Sequence, residues 1–319
     1  MYKKCSLYGL KSKRMLFQLL GITNKAFLKS NYVQRNIFPY IDKTTKPRLI
    51  EAPSIELKVI QRKIKNYLLN CDIPDYVYSG IKNKSYVDNA KMHRLNCYLY
   101  KLDISAFFPN ISREKVYIFF NQVLKTSQDV ACCLTNFCTA DLSVNNKNNE
   151  EISQFLTSKH IKHKNHLCTG CAASPVLSYL VNKEMFDEIL NICKVNNMLM
   201  TIYVDDIVIS SPKPINHYLR SKIVSTVNKY GFNISKNKVR YYTKNDTKEV
   251  TGVIIKKNGT LDVPNKLRWK IKRRFDNVTE DYNLKKLQGC IIAARQIMNA
   301  YPSLWKYVKL ELKNKQHNV

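Results

Sequence analysis

No run of apolar residues in this chain approaches the roughly 18 needed to cross a bilayer. The best candidate, MLFQLLG at residues 15–21, is interrupted by Gln18 and is followed by no small-residue cleavage pattern. Neither a membrane span nor a secretory leader is expected, and a soluble, cytoplasmic protein is. Acidic residues are scarce as well: 24 Asp and Glu stand against 53 Lys and Arg, a formal charge of +29 over 319 residues. AT-rich codon usage would enrich Lys, Asn, Ile and Tyr, but it would raise Glu too, so it does not account for this surplus. The excess runs from Lys11, Lys13 and Arg14 to Lys309, Lys313 and Lys315, which favours a polyanion as partner over a membrane surface. A second close Cys or His pair is also missing. Cys168 and Cys171 have the spacing of a zinc knuckle, with His163 and His166 upstream, yet no finger-like partner pair completes a site. The ten cysteines are scattered through apolar or mixed segments and read as reduced core thiols. No internal repeat is present.

What remains is long enough for two or three subdomains sharing one core. Residues 1 to about 70 read as mainly helical, with apolar residues at helical spacing in IELKVIQRKIKNYLL (55–69). Pro47 and Pro53 bracket a short extended piece in TKPRLIEAPS (45–54). YLYKLDISAFFPNI (98–111) reads as an apolar strand whose single acid is Asp103. The polar stretch 141–166, rich in Asn and Lys, is expected to be a surface loop with at most one helical turn. SPVLSYLVNKEMFDEILNIC (174–193) predicts one helix, capped by Ser174 with Pro175 at its first position. Two short strand-like pieces follow Gly231. From Pro264 the chain is helical and basic, densest in KLRWKIKRRF (266–275).

The stretch TIYVDDIVIS (201–210) sets two adjacent aspartates between runs of strand formers, which predicts two strands joined by a tight turn. Asp-Asp also occurs at solvated hairpin tips, so a functional reading needs a third carboxylate, and the strand bearing Asp103 offers one. If strand and hairpin are neighbours in one sheet, three carboxylates converge. Such a set can hold two Mg²⁺ ions about 3.5–4 Å apart, one activating an attacking hydroxyl and the other stabilising the leaving oxygen of a phosphoryl displacement.

At this point the chain resembles the reverse transcriptases, and among them the bacterial retron type. YVDD (203–206) matches the Tyr-X-Asp-Asp box, and LDISAFFPNI (102–111) matches the box carrying the first metal-binding aspartate. NAKMH (89–93) and VTG (250–252) fit two signatures of retron enzymes. The resemblance implies an α+β, right-hand polymerase fold: helical fingers over 1–98, an antiparallel-sheet palm over 99–255 with an inserted loop near 141–166, and a short helical thumb over 256–319. It implies an RNA-directed DNA polymerase with Asp103, Asp205 and Asp206 as metal ligands, helped by the carbonyl of Ile104, and Mg²⁺ as cofactor, with Mn²⁺ a possible substitute. Lys238 falls where the family has a lysine that protonates the pyrophosphate. Lys46 and Arg48 correspond to finger residues that clamp the incoming dNTP. Phe108 sits where an aromatic side chain excludes a ribose 2′-hydroxyl; its alternative, or that of Phe107, is simple core filling. In LCTGCAASP (167–175), Thr169 occupies the usual Gln position, while Gly170 is kept to allow close backbone approach to the nucleotide.

As implied partners the resemblance gives a cognate structured noncoding RNA, primed from the 2′-hydroxyl of a guanosine, its branched DNA product, and an effector protein encoded nearby, within an anti-phage system and with a higher-order complex possible. RNA contacts would fall on Asn89, His93, Val250, Thr251 and Gly252, and on Arg268, Trp269, Lys270, Arg273 and Arg274 of the thumb. Trp269 would either stack on a base or pack between helices. No maturase or endonuclease domain is expected after the thumb. Two alternatives stay open: a bacterial reverse transcriptase of another kind, such as a group II intron relative, and a catalytically silent RNA-binding scaffold.

Overall fold

The computed structural model describes residues 2–44, 46–144, 149–277 and 281–317. Eleven strands are described there. β1 (Ile37–Asp42) and β2 (Arg48–Pro53) form an antiparallel hairpin, and β3 (Tyr98–Asp103) stands alone in sequence. β4 (Thr139–Asp141) pairs with β5 (Asn165–Leu167), and β6 (Leu199–Tyr203) with β7 (Asp206–Ser211). β8 (Arg240–Tyr242) is followed by β9 (Lys248–Val250), β10 (Val253–Ile255) and β11 (Leu261–Asp262). The central sheet has the order β6-β7-β3-β8, and β11-β10-β9 form a separate small sheet. Helices and antiparallel sheets together make the α+β architecture that the sequence implies.

The central sheet is covered unequally on its two faces, and its pleat explains why. Tyr100, Leu102, Met200, Ile202, Ile207 and Ile209 all point one way into the main core, where Phe186 and Ile189 of helix Lys183–Val195 meet them. Leu99 and Val208 point the other way, into a second cluster with Val87, Val250, Val253 and Leu287. Asp103 and Asp206 share that second face by alternation, at the end of the strands beyond the cluster. The second cluster therefore covers the lower part of the face and leaves the acidic end to other groups.

Several sequence expectations change here. The first 70 residues are not only helical: the extended piece is one arm of the β1–β2 hairpin, whose other arm, IFPYID, pairs with it from Ile37↔Pro53 to Asp42↔Arg48. The 141–166 stretch is no plain loop. It contains helix Asn149–Ser158 and ends in the β4–β5 pair. Its few apolar side chains are used together, since Leu142, Ile152 and Leu156 bury themselves with Leu49 of β2, a pattern too sparse to stand out among the polar residues. The 174–193 segment is two helices, Ser174–Val181 and Lys183–Val195, split at Asn182, whose Nδ2 donates to the Ser178 carbonyl. Ser174 is not the cap but the first helical residue, and its Oγ donates to the Cys168 carbonyl at 2.6 Å. Four strands, not two, follow Gly231.

At the C-terminal end, helices Asn265–Phe275, Asp281–Ile297 and Pro302–His317 pack Ile271, Leu284, Leu287, Ile291 and Val308 into the second cluster. Among the described residues no helix is long and apolar enough to cross a membrane.

Candidate active site

The turn joining β6 to β7 consists of two residues, Val204 and Asp205, closed by the pair Tyr203↔Asp206. Val204 adopts φ +58°. A β-branched residue in the left-handed region costs about 1–3 kcal/mol, a strain found mostly where surrounding structure imposes it for function. Here the imposing contact is visible: the N–H of Ile104 donates to the Asp205 carbonyl at 2.9 Å, pinning the turn to the end of β3. The register of β3 and β7 then sets Asp103 directly opposite Asp206, so the three aspartates of the sequence motifs meet at one end of one sheet.

Two lysines answer their charge. Ser105 and Ser235 tie the chain around 233–235 to the end of β3, through Ser105 N to the Asn233 carbonyl and Ser235 N to the Asp103 carbonyl, both at 2.8 Å. That path brings Lys238 Nζ to 2.5 Å from Asp103 Oδ1. Lys101 Nζ lies 3.5 Å from Asp206 Oδ2. Burial, and after it the charges of Asp103 and Asp206, push the Asp205 carboxyl up to about 6. Burial also raises Asp206, against the opposing pull of Lys101. The donor set fits a hard divalent cation, since Asp103, Asp205 and Asp206 offer carboxylate oxygens, and the charges of Asp103 and Asp206 add to burial in raising Asp205. Among the described residues no three His, Cys, Asp or Glu side chains stand in ligand geometry, while Asp103 and Asp206 are in contact with Lys238 and Lys101. Ile104 is buried immediately beyond Asp103.

The other sequence-predicted residues divide by accessibility. Phe107 is the core residue, packed on Phe186 and Phe232 at ring-centroid distances of 6.3 and 5.3 Å. Phe108 is half-buried beside it. Lys46 and Arg48 are exposed at the turn of the β1–β2 hairpin. Thr169 and Gly170 face β2: the Thr169 N–H donates to Glu51 Oε2 at 2.8 Å, and Thr169 Oγ1 accepts from the Glu51 N–H at 3.0 Å. A Cβ on Gly170 would stand 2.1 Å from the Glu51 carbonyl oxygen. The close approach that requires glycine here is to a strand of the protein, the Glu51 carbonyl of β2.

Asn89, His93 and Val250 are corrected as RNA contacts, because all three are fully buried. His93 lies across the covered part of the central sheet, with Nδ1 2.7 Å from Ser210 Oγ and Nε2 2.7 Å from Thr201 Oγ1. Thr251 Oγ1 donates to the Tyr86 carbonyl at 2.8 Å, and Gly252 supplies φ +80° beside it. The VTG turn is thus tied to the first residue of helix Tyr86–Met92, the helix that carries Asn89 and Ala90 of the other motif, and Tyr86 extends the join by donating to the Ala293 carbonyl of helix Asp281–Ile297 at 3.1 Å. In the basic helix, Arg268 is ion-paired with Asp262, and Arg274 donates to the Lys286 carbonyl at 2.9 Å. Trp269, Lys270 and Arg273 are exposed, with the Arg273 guanidinium over the Trp269 ring at 5.3 Å.

Sequence reasoning missed Lys101 and the Glu51–His166 pair. Lys101 was within reach, since it stands two residues before Asp103 on a strand and must share its face. The Glu51–His166 pair has no local signal, because 115 residues separate the partners.

Comparison with known proteins bears on this geometry. The sequence model of the family described as reverse transcriptase (RNA-dependent DNA polymerase) matches residues 39–255, more than half of the chain. The Retron Ec83 reverse transcriptase of Escherichia coli is 29% identical over 224 residues, which cover 68% of this chain and 66% of that protein. The Retron Se72 reverse transcriptase of Salmonella heidelberg is 28% identical over 222 residues, 67% of this chain and 52% of that protein. The chain thus spans less than two thirds of the length of these relatives. Among solved structures, the telomerase of Candida albicans in complex with the TWJ fragment of telomeric RNA covers 86% of this chain and 56% of its own, with a TM-score of 0.49 and 9% identity.

Proposed function

The chain belongs to the reverse transcriptase (RNA-dependent DNA polymerase) family, and from that premise we propose that it is a retron reverse transcriptase, copying part of a cognate structured RNA into branched DNA. The observation that carries the reading is the meeting of Asp103, Asp205 and Asp206 at one end of the central sheet, in a chain whose relatives are named retron reverse transcriptases. We assign 1–98 to the fingers, 99–255 to the palm and 256–319 to the thumb, and take the protein to act in the cytoplasm.

Enzymes of this family depend on a divalent metal in general. We assign Asp103, Asp205 and Asp206 to hold a pair of Mg²⁺ ions, which would supply an activated 3′- or 2′-hydroxyl and a stabilised pyrophosphate oxygen. The chain's own groups do the rest. Lys46 and Arg48 approach the triphosphate from the hairpin turn, where Arg48's forked donors suit phosphate oxygens. Phe108 limits the space at the sugar. Lys238, whose ammonium rests on Asp103, is the group we assign to protonate the departing pyrophosphate. Exposed Lys270, Arg273 and Trp269 face the RNA. A cognate RNA, an effector protein and a part in phage defence belong to the same proposal.

The test is to purify the protein with its neighbouring genes expressed, extract bound nucleic acid, and treat it with RNase, DNase and a debranching enzyme. A discrete DNA that shifts on debranching, and that is absent when Asp205 and Asp206 are both replaced by Asn, is the expected result. RNA without attached DNA, from a protein that also fails to extend a primed RNA template, would overturn the reading.

A further inference from the structure

Alternation along β2 sends Leu49 and Glu51 to the same side, and both are buried there against the inserted segment: Leu49 joins Leu142, Ile152 and Leu156, while Glu51 reaches His166 and Thr169. The Glu51 and His166 side chains are both 0% exposed, with Oε1 to Nε2 at 2.8 Å. The other ring nitrogen of His166, Nδ1, lies 2.7 Å from the His163 carbonyl. The Glu51 residue is used at every polar position. Its Oε2 accepts from Thr169 N, its N–H donates to Thr169 Oγ1, and its carbonyl accepts from Cys168 Sγ at 3.3 Å. Gly170 closes the contact from the remaining side. Three residues earlier on the same strand, Arg48 emerges exposed at the hairpin turn, next to Lys46.

We infer that Glu51 is a positioning residue for the incoming nucleotide: it pins the β1–β2 hairpin to His166 and to the Thr169–Gly170 loop, and so fixes where Lys46 and Arg48 stand relative to the three aspartates. This rests on the polymerase reading above. On this account the 141–166 insertion is a brace for the hairpin. A two-stranded hairpin is marginally stable by itself, and among the described residues β1–β2 makes no sheet contact beyond its own two strands. A buried ion pair is a means of fixing geometry more than of gaining stability, since desolvation offsets much of its attraction.

Glu51→Gln keeps the shape and an acceptor for Thr169 N but removes the charge facing His166; His166→Gln removes the partner instead. Each variant would be measured in two ways, by amide hydrogen exchange over 37–53 and by steady-state extension of an oligo(dT) primer on poly(rA). The expected result is faster exchange in the hairpin, and a dTTP KM raised about 3- to 10-fold with kcat changed by less than about 2-fold, the pattern of lost binding with intact chemistry. Unchanged exchange in both variants would overturn the pin. Faster exchange with an unchanged KM in an active enzyme would overturn the nucleotide role. An equal fall in kcat and kcat/KM would do the same, assigning Glu51 to the chemical step. Failure of both variants to fold would assign the pair to stability and also overturn the proposal. A wild-type protein inactive on every primed template would overturn the polymerase reading, and this role with it, a result distinct from an active enzyme with unchanged KM.

Discussion

Phe107 and Phe108 are neighbours in sequence with separate tasks, because the 3-10 turn Phe108–Asn110 sends one ring into the core and leaves the other half-buried. Trimming Phe108 should therefore cost little stability. Phe108→Ala is expected to relax the preference for dNTPs over rNTPs by at least about 10-fold in kcat/KM, as a pocket loses the bulk that rejects one hydroxyl. Competing incorporation of dTTP and rUTP would measure it, and an unchanged ratio would return Phe108 to plain packing. His93 supports a prediction of another kind. Burial depresses its pKa from 6.5 to about 3, so the folded protein keeps it neutral while the unfolded chain takes up a proton below pH 6.5. The unfolded state then binds more protons, and this residue's contribution to stability is lost as pH falls from 6.5 towards 3, by up to about 1.4 kcal/mol per pH unit. His93→Gln should lower stability at neutral pH, through the altered contacts to Ser210 and Thr201, and should flatten the acid limb of a denaturation series between pH 6.5 and 4.5. A limb as steep as the wild type's would mean that other groups set it.

The β6–β7 hairpin was legible in the sequence because everything it needs is local: strand formers on both sides of a two-residue turn, and a period of two that puts Asp206 and Asp103 on one face once the strands pair. The β1–β2 hairpin was only half legible. TKPRLIEAPS announces an extended piece through its prolines, but its partner IFPYID carries no turn signal as strong, and its register depends on pairing. The inserted helix was illegible for a physical reason, since Leu142, Ile152 and Leu156 are stabilised by Leu49, about a hundred residues away in sequence. NAKMH stands out as a motif while Asn89 and His93 are buried, because sequence pattern marks constraint without saying whether the constraint comes from a ligand or from packing. Gly170 carries the same ambiguity, with a packing constraint in view. Gly170→Ala would bring a methyl group to 2.1 Å from a backbone carbonyl, which only a shift of β2 or of the loop can relieve. A loss of about 1–3 kcal/mol is expected, read as a lower denaturation midpoint. Wild-type stability would show that the two segments can separate at no cost.

A charge of +29 would make nucleic-acid binding salt-dependent for the molecule as a whole, so total affinity would say little about any one side chain. The basic C-terminal helix separates the contributions, because its cations have different occupations. Arg268 is tied to Asp262, and Arg274 to the Lys286 carbonyl, so their removal should register first in stability. Lys270 and Arg273 are exposed. If they lie on phosphates, Lys270→Ala and Arg273→Ala should each reduce the slope of log K against log salt by about 1 for binding to a structured RNA. Trp269, 59% exposed beneath the Arg273 guanidinium, would act differently, since stacking releases no counterions. Trp269→Ala should cost about 1–3 kcal/mol of affinity with the salt slope unchanged. The experiment is one titration series per variant across several salt concentrations. Unchanged slopes for both cations, together with unchanged affinity for Trp269→Ala, would move the RNA path off this helix and onto the remaining basic surface.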